Sequence, residues 1–282
     1  MKVFKKYAAA ALARLIRVGL LASFLAATLF PIYWMLVTSL KDRLEIYGDI
    51  ITFWPQRLTW DNYLQTFTNT NFPLYFKNSL IVTVVSSTLV LIVSIMGGYS
   101  LARYKFRGKN LVLVSFLITQ MVPVMVLLVP LFILFSKINF INRLSSLIIT
   151  YTVINIPFCL ITMSSFFQRI PDALEEAALI DGCGRLQAVL KIIIPVMLPG
   201  LVATFVFAFT GSWNDLFFGI MFINNEAART IPVGLNSFIG KFDINWGQMC
   251  AGGIIALIPV AILFMMIQKH IVAGLTQGSV KG

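Results

Sequence analysis

Charge is what this 282-residue chain has least of: Asp, Glu, Lys and Arg make up 12% of it, and only 11 residues are acidic. A soluble domain of ordinary composition carries about 25% charged residues, so a water-soluble enzyme is excluded. One histidine, His270, leaves almost no room for a histidine-based metal site or catalytic triad. The three cysteines, Cys159, Cys183 and Cys250, have neither metal-ligand nor CxxC spacing, and an odd, scattered set makes no disulfide framework. No Gly-x-x-x-x-Gly-Lys-Ser/Thr run occurs, so the chain has no P-loop of its own, and the HExxH, EF-hand and GxSxG patterns are missing too. Internal repeats and low-complexity stretches are absent.

Apolar residues are abundant instead, at 59% of the chain with a mean hydropathy of +0.88. They fall in long charge-free runs, and about 20 such residues cross a 30 Å hydrocarbon core as a helix. Reading from charge to charge gives six spans at 18–40, 78–102, 110–136, 144–168, 192–214 and 249–268. The fold class expected is therefore an all-α membrane protein, a single transmembrane domain over 1–282. None of the spans has an ionisable residue near its middle, which argues against a carrier driven by a proton or sodium gradient. Energy for any transport must then come from another chain.

The net charge of +11 does not point to nucleic acid, because the basic residues lie between the apolar runs and form no stripe with interleaved aromatics. They read better as flanks of membrane spans facing the cytoplasm and its lipid. With both termini inside, that side holds 14 Lys and Arg and the other side 8, so both termini are expected to be cytoplasmic. The basic N-terminus with its apolar run also resembles a secretory signal. Its run is long for that, and no small-x-small cleavage site follows, so it reads as an anchor kept as the first helix. The outer segments 41–77 and 215–248 are too short to fold alone. Within the first, Thr59 to Phe67 reads as a short interfacial helix, with Trp54 and Trp60 at the membrane surface.

Polar residues inside or at the ends of the spans are candidates to line a path: Gln120, Asn155, Ser164, Ser165, Asn214 and Asp215. Each serves equally well to hydrogen-bond a neighbouring helix. Pro123, Pro130, Pro157 and Pro259 mark kinks that either shape such a path or serve packing alone. A membrane-embedded enzyme would need a polar catalytic cluster in the spans, and none is present.

The loop at 169–195 has the most distinctive pattern. Pro171 suits the first turn of a helix, and Asp172, Glu175 and Glu176 suit its electropositive N-terminal end. Ala173, Leu174, Ala177 and Ala178 give a small, smooth face, and Gly182 is a natural stop. On the residues alone this is either a rigid helix shaped for another protein's groove or an ordinary re-entry loop. The order Glu176-Ala177-Ala178, Gly182, Ile192 and Pro195 resembles the EAA motif of binding-protein-dependent ABC importer permeases, which reads EAA, three residues, Gly, nine residues, then I-x-L-P. Six of its seven fixed positions match, with Ile194 in place of Leu. At typical residue usage that arises by chance at on the order of 10⁻⁷ per start position. A scaffold protein would not account for it.

The resemblance covers nearly the whole chain and narrows to the carbohydrate-uptake group, with support from Gly98 to Lys109, Tyr75 to Ser79 and Met121-Val122-Pro123. Cys183 stands where that group usually has Ala. What the resemblance implies is a type I ABC importer permease fold, with a cytoplasmic coupling helix between the fourth and fifth spans. It implies a second related permease, two cytosolic ATPase subunits and an extracytoplasmic sugar-binding protein as partners. ATP and Mg would be bound by the ATPase, with no cofactor in this chain. Glu175, Glu176, Ala177, Ala178, Asp181 and Gly182 would couple to the ATPase. The tail over 269–282, with Gly278, Ser279 and Lys281, would reach between the ATPase subunits. The location implied is a bacterial or archaeal inner membrane. A different solute, such as a phosphorylated polyol or a polyamine, is the alternative, although a cationic one should favour acidic pore residues, which are scarce here.

Overall fold

The computed structural model describes residues 2–240 and 243–276, with side chains described for 12–240 and 243–268. The calls on Gly278, Ser279 and Lys281 lie outside the described residues. Helices account for nearly all regular structure: α1 (Lys2–Ser39), α2 (Asp61–Thr68), α3 (Phe72–Arg103), α4 (Lys109–Met121), α5 (Leu128–Lys137), α6 (Leu144–Gln168), α7 (Asp172–Ile180), α8 (Leu198–Trp213), α9 (Phe217–Phe222) and α10 (Trp246–Thr276). The chain is all-α. Among the described residues, four helices are long and apolar enough to cross a membrane, or up to six spans if each of two bent pairs is one span.

Those two pairs are where the expected spans and the structure part. The run at 110–136 is broken between Lys109–Met121 and Val124–Lys137, which meet at 89°. Pro123 forces the residue before it out of helical geometry, and Val122 is extended (φ −77°, ψ 120°). The run at 192–214 is likewise broken between Arg185–Val196 and Leu198–Trp213, at 80°. Pro195 brings no N–H to the ladder, and the turn before it, Val189–Ile193, is widened to a π-helix. Pro31, Pro157 and Pro259 by contrast lie inside helices that continue through them, and Pro130 falls in the first turn of α5, where no N–H is needed.

Two compact units divide the chain. One takes in the described residues up to Thr70 together with Phe238–Ile255. In it the Asn62 amide of α2 donates to the carbonyls of Ser39 (3.0 Å) and Lys41 (2.8 Å), capping the end of α1. Gly247 is required there: a Cβ would stand 2.2 Å from the Asn62 Oδ1. Lys41 is buried, donates to the Thr52 carbonyl at 2.5 Å and lies over the Trp34 ring. From Leu12 to Tyr33, α1 is mostly apolar and exposed, as suits a helix whose surroundings are lipid or another subunit.

The other unit, Asn71–Ser237 with the described residues from Ala256, is built on α3 and α6. The face that α3 buries is rich in small and polar residues, Asn78, Ser79, Thr83, Ser86, Ser87, Ser94 and Gly98, beside Phe72, Tyr75, Val82, Val90 and Leu101. Its exposed face carries Ile81, Val85, Leu89, Ile92 and Met96. That inversion is expected in lipid, where small residues let helices approach and apolar ones face the hydrocarbon. Gly98 stands so close to α6 that a Cβ would lie 2.9 Å from Met163 Cβ. Val90, Cys159 and Ala208 join α3, α6 and α8 in one cluster, and Val82, Leu147, Tyr151, Phe135, Phe218 and Phe222 form another. Beyond α9, Glu226 accepts from the Tyr75 hydroxyl (2.8 Å) and the Asn71 amide (3.1 Å), which hold its carboxyl below the usual carboxylate range.

Candidate functional site

The pattern at 171–182 does form a helix, α7, and its two ends explain its length. Pro171 is the N-cap, with Asp172 and Glu175 in the first turn. At the other end the Cys183 N–H bonds the Ala178 carbonyl (3.0 Å) and the Gly182 N–H bonds the Leu179 carbonyl (3.1 Å). This is the Schellman arrangement, which needs a left-handed residue just past the cap, and Gly182 has φ +85°. Nothing lies within 4 Å of a Cβ built there, so it is the backbone turn within this chain that requires glycine.

Around that helix the side chains divide sharply. Ala178 is 2% exposed and faces inward, and Glu175 turns the same way, with only 12% of its side chain exposed. Ala173, Glu176, Ala177 and Ile180 fall at helical spacing on the opposite, open face, where Ile180 is 85% exposed. The small face expected from Ala173, Leu174, Ala177 and Ala178 is thus split: the outward surface pairs two alanines with Glu176 and Ile180. Asp181 and Gly182 are exposed as well.

Arg103, the last residue of α3, ties α7 down from the inside. Its guanidinium donates to the Asp172 carboxylate and to the Ile170 carbonyl (3.0 Å), while its buried Nε lies 3.2 Å from Glu175 Oε2 as an ion pair that is not aligned as a hydrogen bond. The Tyr99 hydroxyl donates to the other oxygen of Glu175. Arg103 is 12% exposed, whereas Asp172 is 74% exposed, so the Glu175 arm is the one shielded from water. Removing one partner of a largely buried pair typically costs about 3–5 kcal/mol, because the other charge is left uncompensated. Next to it Arg185 donates to the Tyr104 hydroxyl (3.3 Å), and Tyr99 meets Tyr104 and Phe167 edge to face. Tyr99, Arg103, Asp172, Glu175, Glu176 and Arg185 all line one pocket of about 270 Å³. Tyr99 and Arg103 were not legible as site residues from spacing, since their partners lie about seventy positions further along the chain.

Most of the six candidate path residues have hydrogen-bond partners within the chain. Asp215 accepts from the Tyr151 hydroxyl (2.8 Å) and from the N–H groups of Phe218 and Gly219, capping α9. The Asn155 amide donates to the Tyr151 carbonyl (2.8 Å) within α6, and Ser165 bonds back to Ile161. Ser164 is buried and accepts from Gln168 at 3.2 Å. Gln120 and Asn214 are exposed. Among the described residues no cluster of His, Cys, Asp and Glu has the make-up of a metal site.

These features define a multi-pass membrane protein with one charged, tightly held surface helix. Residues 92–277 match the family described as the binding-protein-dependent transport system inner membrane component, and the chain belongs to that family. It is a transport component and not an enzyme. The chain is 37% identical over 254 residues to a sulfoquinovosyl glycerol transport system permease of Agrobacterium fabrum, covering 90% of this chain and 89% of that one. It is 35% identical to a diacetylchitobiose uptake system permease of Streptomyces coelicolor (90% and 92% covered) and 32% identical to a trehalose/maltose transport system permease of Thermococcus litoralis (90% and 92%). Its fold is that of a bacterial ABC transporter chain involved in import of the acidic polysaccharide alginate, with a TM-score of 0.79 at 21% identity over 90% of this chain and 95% of that one.

Proposed function

We propose a division of labour for this permease subunit of a carbohydrate ABC importer. The whole chain acts as one permease domain and lines half of a sugar path, a second related permease supplying the other half. The bent pairs Lys109–Met121 with Val124–Lys137 and Arg185–Val196 with Leu198–Trp213 each count as one span, which makes six. Both termini, the 103–109 segment and α7 face the cytoplasm, in line with the excess of Lys and Arg on that side. The open face of α7, with Glu176, Ala177 and Ile180 ahead of the Gly182 stop, seats in a groove of a cytosolic ATPase subunit that binds ATP and Mg. The tail from 275 onward reaches between the two ATPase subunits. A sugar-binding protein docks on the opposite side of the membrane. Carbohydrate is the cargo because several relatives sharing about a third of their residues over nine-tenths of this chain are named for glycosides and oligosaccharides.

The observation that carries this reading is the exposed Glu176–Ile180 face on a helix otherwise pinned at every polar position. Two substitutions test it: Ile180→Glu, at a position 85% exposed, and Glu176→Lys, at an exposed position on the rim of the pocket that Arg103 and Arg185 line. Both should release the ATPase subunits during purification of the complex and abolish uptake. Full ATPase recovery with full uptake in both variants contradicts the reading.

A further inference from the structure

A displacement imposed on α7 has two ways to travel. On its C-terminal side the path to α8 runs through the left-handed Gly182, then Gly184, the π-helical turn at Val189–Ile193 and the 80° bend before Leu198. Along the backbone that is a chain of glycines, a widened turn and a corner, although α7 also packs directly on Arg185–Ile193. On the inner side the path runs through Arg103, which holds Asp172, Glu175 and the Ile170 carbonyl at once, with Tyr99 on Glu175 beside it. The guanidinium's hydrogen bonds to Asp172 and the Ile170 carbonyl fix direction as well as distance, and its charge attracts Glu175. Both Tyr99 and Arg103 belong to α3, and α3 is locked onto α6 where Gly97 and Gly98 meet Leu160 and Met163: a Cβ would stand 2.6 Å and 2.9 Å from them. Met163, Phe167, Ile170, Ile193, Met197 and Leu201 form one buried cluster, with Tyr99 and Ala102 packed against it, so the bend and the start of α8 share the core that underlies Ile170.

We infer that Arg103 is a positioning residue that makes α7 move as one piece with the α3–α6 pair, so that motion received by α7 reaches this pair directly as well as through the bent segment leading into α8. The inference rests on α7 being the helix that meets the ATPase, but it concerns the inner face of that helix, which the ATPase does not touch. Glu175 and Glu176 thereby have opposite tasks: Glu176 faces the ATPase, and Glu175 holds the helix to the membrane-spanning body.

The test uses the assembled importer in proteoliposomes with its ATPase subunits and binding protein. Arg103→Met leaves the shielded Glu175 carboxylate unpaired, so the double variant Arg103→Met/Glu175→Gln is examined beside it to remove that penalty. Arg103→Lys keeps the charge but loses the fork. In the double variant ATPase recovery should stay complete, because Glu176 and Ile180 are untouched, while sugar imported per ATP hydrolysed falls by about tenfold, within the usual range of coupling between sites. Arg103→Lys should fall between this variant and the wild type. Spin labels at Leu174 and Met96, on α7 and α3, should keep one separation with and without ATP in the wild type and two separations in the double variant. Unchanged sugar-to-ATP ratio, or one fixed label separation in the double variant, overturns the inference. Loss of the ATPase from the double variant overturns it too. Full ATPase recovery in Glu176→Lys would instead overturn the docking reading beneath it.

Discussion

Replacing Gly182 separates two reasons for a glycine at the end of α7. The backbone there is left-handed at φ +85°, while space around a Cβ is free to 4 Å. Within this chain the cost of Gly182→Ala is therefore that of forcing an L-residue into left-handed geometry, about 1–2 kcal/mol. That is a factor of roughly 5–30 in the population holding the Schellman stop. Asn tolerates this region better than Ala, despite its larger side chain, and a β-branched Val tolerates it worst. The order of retained function should accordingly be Gly, Asn, Ala, Val. Cys183 offers a local reporter, since its N–H closes the motif on the Ala178 carbonyl. With Cys159 and Cys250 changed to Ala, maleimide labelling of Cys183 should speed up in the same order in which labelled-sugar uptake declines. If Asn proves worse than Ala, the site reads side-chain size and not backbone geometry, and the reasoning fails.

Two further outcomes follow from the proposed placement of the chain. In a cysteine-free background, a membrane-impermeant thiol reagent should label a cysteine at Gln65 or Asn236 in intact cells but not one at Gly108 or Gln187, all four positions being exposed; the reverse pattern would invert the orientation and remove α7 from the ATPase. Deleting residues 275–282 should leave expression and assembly intact while lowering sugar-stimulated ATP hydrolysis, and a truncated protein that transports at the full rate would make the tail dispensable.

Charges told the boundaries of apolar runs well, and of helices less well. The run at 144–168 coincides with α6, Leu144–Gln168, because Arg143 and Arg169 close it at both ends. The run at 78–102 lies inside a longer helix, Phe72–Arg103, because Lys77 ends the apolar stretch without ending the hydrogen-bond ladder. Interfacial helix α2 fell within two residues of its expected place at 59–67. Among the prolines expected to kink a span, Pro123 marks a break, yet Pro157 and Pro259 carry the same signal and lie in unbroken helices, and the break between Val196 and Leu198 was not expected. Whether a helix bends depends on the neighbours that accept or replace its freed carbonyls, and these are remote in sequence. The same limit applies to α7. Its existence, its acidic start and its glycine stop are local chemistry and could be read directly. Which of two adjacent glutamates turns inward is decided by Arg103, 72 positions before Glu175, and no periodicity contains that choice.

The most direct measurement of the central claim is sugar uptake by the reconstituted complex. It would contain this chain, its partner permease, the ATPase subunits and the binding protein in proteoliposomes, supplied with a panel of labelled oligosaccharides. The account predicts accumulation of a carbohydrate against its gradient only when ATP and binding protein are both present, with no response to an imposed proton or sodium gradient. Uptake that proceeds without ATP, or that follows an ion gradient, would contradict it.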